Sequence, residues 1–230
     1  MKSSLRLLVA GVLLAPAALL AATFEGKISF KAMSGRDKGQ EMSYSIKGDK
    51  MRMEMTGKNA TGGMIIDTKQ REMLIMMDSQ KMYMTMALPD SAKEAINKRE
   101  RDVTMEKTDQ TEKILGYTAT KYLVTDKTSK SEVWLAEGLG TFMGMSNRNP
   151  MAGGRGSTSA APAWERALEG KELFPLRIVG LDKSGKETSR MEVTAINKET
   201  LPDSLFTPPA DYQKFDMGGM MRGLIPGLGR

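Results

Sequence analysis

Two stretches of the chain place methionine at every second residue. Met51, Met53 and Met55 alternate with Arg52 and Glu54, and Met82, Met84 and Met86 alternate with Tyr83 and Thr85. A period of two belongs to a β-strand, whose successive side chains point to opposite faces. The alternation recurs elsewhere. In residues 24–31 the even positions are apolar or small. Met42, Tyr44 and Ile46 share a face, opposite Ser43, Ser45 and Lys47. Residues 64–67 and 73–77 are denser apolar runs and read as more central strands. Further strands are predicted at 103–107, 118–125, 132–136, 176–181 and 189–196. Turn signals separate them: Gly48-Asp49, Asp78-Ser79-Gln80 and Asp182-Lys183-Ser184-Gly185, with Gly185 suited to positive φ. The pattern predicts a mainly β (α+β) protein whose antiparallel meander packs one face and solvates the other.

Helical signals are few. Ser91 and Glu94 form a capping box ahead of Ala92, Ala95 and Ile96, which predicts a helix near 91–100. A second short helix is expected from Pro162 to Leu168, bearing Trp164 and closed by Gly170. Residues 144–162 read as a Gly/Ser/Ala/Asn/Pro loop within the domain, and 216–230 as a disordered Gly/Met-rich tail.

The first 22 residues read as a secretory signal peptide. Lys2 and Arg6 precede an apolar run from Leu7 to Leu20, with small residues at Ala21 and Ala22. The run is short for a membrane span. That leaves a single domain over 23–215, expected in the periplasm. Loss of Lys2 and Arg6 lowers the formal net charge from +6 to +4. Both signs are interspersed, with no concentrated basic patch and no interleaved aromatics, so nucleic acid is not an expected partner. Weak peripheral attraction to an anionic membrane remains open. The chain is read as a monomer.

Residue types that are missing exclude whole chemistries. With no His and no Cys there is no Ser-His-Asp or Cys-His catalysis, no Cys/His zinc site and no disulfide. Gly153–Thr158 lacks the lysine of a phosphate loop, and Asp182–Glu187 lacks the repeated acids of a calcium loop. No carboxylate pair stands out. The reading is therefore not an enzyme, with no catalytic residue, no conventional metal ligand set and no cofactor.

The methionine content, 21 residues with 20 after the leader, admits several readings. The side chains serve as ordinary core. They line an adaptable cavity, since unbranched, polarisable Met re-packs around varied shapes. They bind Cu(I), which selects soft sulfur ligands. Or they scavenge oxidants.

Several segments taken in order carry a resemblance to a known family. Phe24-Glu25-Gly26-Lys27-Ile28 is followed by Lys50-Met51-Arg52-Met53, by Ile114–Tyr122, by Glu132-Val133-Trp134-Leu135-Ala136, and by Leu201–Tyr212. This set resembles the secreted bacterial family catalogued as domain of unknown function 4412, itself similar to the periplasmic lipoprotein carriers of the LolA/LolB type. The resemblance implies a curved antiparallel sheet, a LolA-like incomplete barrel with a few short helices on its concave side, sheltering acyl chains or other apolar groups.

Together these readings point to a periplasmic protein that binds an apolar ligand, a lipid or a lipoprotein acyl chain. The expected ligand-binding residues are Met51, Met53, Met55, Met73, Met82, Met84 and Met86, with Phe30 and Ile46 as wall. The helix near 91–100 is the expected movable plug. The alternatives are a Met-rich Cu(I) binder of the envelope and a non-catalytic structural or protein-interaction module.

Overall fold

The computed structural model describes residues 24–34, 39–57, 60–88, 103–143 and 161–215. The leader, the capped segment near 91–100, most of the loop at 144–162 and the tail from 216 lie outside the described residues. Twelve strands form one sheet: β1 (Glu25–Ser34), β2 (Gln40–Lys47), β3 (Lys50–Gly57), β4 (Ala60–Asp67), β5 (Glu72–Met77), β6 (Met82–Ala87), β7 (Thr104–Ile114), β8 (Tyr117–Thr125), β9 (Lys130–Ala136), β10 (Phe174–Leu181), β11 (Glu187–Lys198) and β12 (Gln213–Lys214). Their order is β12-β6-β5-β4-β3-β2-β1-β11-β10-β9-β8-β7. The sheet does not close among the described residues. A single α-helix is described, α1 (Ala163–Leu168), where the sequence places one, and Gly170 beyond it has φ +73°.

From β1 in the middle of the sheet the strands run outward to β6, and from β7 at the far edge they run back inward. β1 to β6 form one antiparallel meander, and β7 to β11 form a second that ends beside β1. The β1–β11 ladder is the seam between these two wings. It carries a register shift at Ser29/Phe30, and Gly26 lies within it at φ +151°. A Cβ at Gly26 would sit 2.1 Å from the Asn197 carbonyl oxygen, so only glycine lets the two backbones approach this closely.

One buried cluster runs along the inner face and joins both wings. It includes Ile28, Tyr44, Met53, Met64, Val133, Leu176 and Val193, with Leu168 of α1 packed among them. Curvature follows from the aromatic contacts. β2 and β8 are five strand steps apart, about 24 Å in a flat sheet. Yet Trp164 of α1, which packs on β7, β8 and β9, stacks 5.6 Å from Phe142, and Phe142 lies 5.6 Å from Tyr44 of β2. The sheet bends around these rings.

Three expectations change. The dense runs at 64–67 and 73–77 form β4 and β5, which lie near one edge and are not central. They are apolar on both faces because a second buried cluster covers their outer side: Ile65 and Met76 pack with Leu201 and Phe206. The short strand expected at 103–107 is instead the eleven-residue β7. Its polar continuation lies at the sheet edge, where neither face requires an apolar residue. β12 carries only two paired residues and escaped the alternation signal entirely.

The outer cover is the segment 201–215, which straps across β2 to β6. Lys47 Nζ donates to the Leu201 carbonyl at 2.6 Å and pairs with Asp203 at 2.9 Å. Arg52 donates to the Leu205 carbonyl at 2.9 Å. Lys81 pairs with Asp211, and the Tyr212 hydroxyl donates to Asp78. The family-like ending of the sequence therefore works as a brace for the N-terminal wing. Where the strap begins, a hollow of about 250 Å³ is lined by Lys47, Asp49, Lys50, Asp67, Lys69 and Asp203. Its three positive and three negative groups balance.

Candidate functional site

Strand register decides which side chains share the inner face. Ile28, Tyr44, Met53, Met64, Ile75 and Met84 stand opposite one another across six consecutive strands. A neighbouring row runs Ile46, Met51, Ile66, Met73 and Met86. A third begins Phe30, Met42 and Met55. All nine residues singled out from the sequence thus belong to one face of one wing, with Met55 placed by its backbone register. Met42, Met64 and Met77 share the face and were left out of that selection, although the same parity marks them.

Four methionine pairs stand directly opposite on adjacent strands: Met42 with Met55, Met53 with Met64, Met73 with Met86, and Met77 with Met82. Residues so placed have Cβ atoms about 5 Å apart, which brings the thioethers of the Met53–Met64, Met73–Met86 and Met77–Met82 pairs within reach of each other.

Burial grades along the face. Phe30, Ile46, Met51, Met53, Met73 and Met84 are buried, all at 6% exposure or less. Ile75, Met77, Met82, Met86 and Leu88 are half-buried. The deep end meets the aromatic junction. Phe30 packs edge-on to Tyr44 at 5.4 Å, and Phe174 stacks within 6 Å of both Phe30 and Phe142. The Tyr44 hydroxyl donates to the Met143 carbonyl at 3.2 Å, so its polar end is satisfied. Phe142 and Phe174 were not anticipated. Both lie where residues far apart in sequence meet, and no local pattern reports that.

The C-terminal wing holds α1 over the inner face with one half-buried carboxylate. Asp126 Oδ1 accepts hydrogen bonds from the backbone and hydroxyl groups of Thr128 and Ser129, and Oδ2 accepts from Arg166 of α1 at 2.5 Å. Burial pushes the Asp126 carboxyl up, but the bonds from Thr128 and Ser129 prevail and hold it at about 2. On the outer face Trp134 lies between Lys121 and Arg177, at 5.9 and 5.8 Å from its ring. Arg177 reaches Glu112 and Glu192, and Lys121 reaches Glu132. Hydrogen bonding to Glu112 helps to raise the Arg177 guanidinium above its usual value. These ion pairs tie β7 to β11. Among the described residues no group of three or more acidic, His or Cys side chains is placed to hold a metal ion.

Comparison with known structures returns low-identity likenesses. An uncharacterized conserved protein from Thermus thermophilus aligns with TM-score 0.48 and 11% identity, over 85% of this chain and 91% of that one. A chain of the Pseudomonas aeruginosa MucA/MucB complex aligns with TM-score 0.47 and 12% identity, over 83% of this chain and 58% of that one. A putative outer membrane lipoprotein-sorting protein domain from Vibrio parahaemolyticus aligns with TM-score 0.29 and 7% identity, over 79% of this chain and 88% of that one. No curated protein matches the sequence. The family signature is a different matter: residues 24–212 match the family described as Domain of unknown function (DUF4412), and the chain belongs to it.

Proposed function

We propose that this protein is a non-catalytic periplasmic binding protein that holds an apolar ligand, a lipid or lipoprotein acyl chain, against the methionine wall of β3 to β6. The observation that carries the reading is the one-sidedness of the wall. Ten methionines of β2 to β6 (42, 51, 53, 55, 64, 73, 77, 82, 84 and 86) have the parity of the inner face. Met specifies a fixed packing poorly and adapts to irregular shapes, which suits a wall that accommodates chains of differing length. The contact strip is the half-buried end, Ile75, Met77, Met82 and Met86. Removal of apolar surface from water at about 25 cal/mol per Å² supplies the binding energy. The leader-like N-terminus supports export.

The test is native mass spectrometry of protein isolated from the periplasm, followed by titration with a fluorescent fatty acid. The reading expects a co-purifying lipid, and at least tenfold weaker probe binding in Met82→Asp and Met86→Asp, since each places a charge on an apolar contact. Absence of both lipid and probe binding overturns it.

The four opposed methionine pairs favour one second reading, Cu(I) held by thioethers. The half-buried Met77–Met82 pair suits it best, because a cation at the deeper pairs would lose its hydration among apolar groups. A copper adduct under reducing conditions, in place of lipid, distinguishes it in the same spectrum.

A further inference from the structure

The inner face of the N-terminal wing changes character at β2. From β6 inward its middle row reads Met84, Ile75, Met64 and Met53, and it ends on Tyr44. The row beside it passes Met55 and Met42 and ends on Phe30. Aliphatic and thioether side chains give way to aromatic rings at the same boundary. Four strand steps separate β6 from β2, about 19 Å along the sheet, the reach of a long alkyl chain laid across the strands. Before Tyr44 the middle row offers such a chain no N–H or O–H side chain.

The two kinds of side chain respond differently to an inserted chain. Met turns about three unbranched bonds, and a methionine that moves aside leaves no strong hydrogen-bonding group unpaired. Tyr44 is held in place. Its ring lies 5.4, 5.6 and 6.3 Å from those of Phe30, Phe142 and Phe174, and its hydroxyl donates to the Met143 carbonyl at 3.2 Å. Phe142 is itself backed by Trp164 of α1 at 5.6 Å and by Phe174 at 5.7 Å. Phe30, Tyr44, Phe142 and Phe174 are all buried. Turning Tyr44 aside breaks ring contacts on three sides and takes its hydroxyl from the carbonyl that satisfies it.

We propose that Tyr44, backed by Phe142, is the end stop of the methionine wall and sets the longest alkyl chain that the wall takes. This rests on the reading of that wall as an acyl-binding surface. A chain laid along the middle row displaces yielding side chains as far as β3 and halts against a ring that the junction fixes. Phe142 follows β9 and Phe174 opens β10, so the C-terminal wing supplies the stop against which the N-terminal wing measures its ligand.

Saturated fatty acids of increasing chain length, competed against a bound fluorescent fatty acid on protein isolated from the periplasm, measure the limit. Phe142→Ala removes the backing of Tyr44, and Tyr44→Leu removes the ring itself. In each, the first acid beyond the parent's limit is expected to bind at least tenfold more tightly than it does to the parent. Met53→Trp sets a ring one strand nearer β6, about 5 Å, and the longest acids that the parent holds are expected to bind at least tenfold more weakly. Phe206→Ala loosens the cluster on the outer side of the same wing and is expected to leave the limit where it is. An unchanged limit in both Phe142→Ala and Tyr44→Leu overturns the end stop and leaves the acyl-binding reading standing. A limit that lengthens equally in Phe206→Ala overturns it too, because general loosening then accounts for the shift. A parent that binds no acid of any length overturns both.

Discussion

The two wings of the sheet solve the same geometric problem with different side chains. Each is an antiparallel meander with one face turned inward. β1 to β6 contain twelve methionines, whereas β7 to β11 contain two, Met105 and Met191. The second wing instead packs Val124, Val133, Leu135, Leu176 and Val193. Branched side chains occupy few rotamers, while Met turns about three unbranched bonds. The second wing also carries α1 on its inner face, fixed through Asp126 and Arg166, and the Trp134 ion-pair ladder on its outer face. The first is braced from outside by the strap. The contrast separates a wing packed with branched side chains from one packed with methionine, joined at the β1–β11 seam and the aromatic junction.

The junction is where the contrast breaks most severely. Phe174 is fully buried and touches Phe30, Tyr44 and Phe142. Phe174→Ala is expected to cost about 3–5 kcal/mol, the range for an aromatic removed from a core. Urea denaturation followed by tryptophan fluorescence and by far-UV dichroism measures it. Coincident transitions mean that the wings unfold together, and separated ones mean that the junction is what couples them. The seam comes next. Gly26→Ala places a methyl 2.1 Å from the Asn197 oxygen, at a φ that other residues rarely adopt. It is expected to cost about 2–3 kcal/mol and to speed amide exchange along β1 and β11 first.

The sequence conveyed the local half of this architecture. Alternation located eleven strands, and parity alone put the nine selected residues on a common face, because side-chain direction in a strand is a local property. What stayed hidden was set by distant partners. Nothing within residues 64–77 tells that Leu201 and Phe206 cover their outer side, so two-faced burial looked like a central position. β7 was cut short because an edge strand with polar residues on both faces lacks the contrast that parity detects. Phe174 and Phe142 each look unremarkable in sequence, and their roles arise only when β10 and the segment after β9 meet β1 and β2.

The anchor of α1 gives a smaller effect with a distinct pH signature. Asp126→Asn keeps the shape of the side chain but loses the charge that Thr128, Ser129 and Arg166 satisfy, an expected loss of about 2 kcal/mol at neutral pH. The folded carboxyl titrates at about 2, below its ordinary 3.8. Its contribution is complete above the unfolded value and disappears as pH falls from about 4 through about 2. Thermal unfolding of both proteins across that window measures the slope. The asparagine variant lacks the Asp126 share of it, and identical slopes would mean that the carboxylate gains nothing from folding.

The smallest expected change in stability addresses the wings most directly. Met51→Leu, Met53→Leu and Met84→Leu conserve volume and are expected to cost less than about 1.5 kcal/mol each. Leu135→Met and Leu176→Met, on the other wing, fall in the same range. If stability were all that methionine supplied, the two sets would behave alike in every assay. They are expected to diverge when fatty acids of increasing chain length are titrated. Leucine on the first wing stiffens the wall and narrows the range of lengths bound, whereas methionine on the second leaves the range unchanged. A triple leucine variant that binds every length as the parent does would reduce these three methionines to ordinary core, since the exchange removes both their packing flexibility and their thioether sulfur.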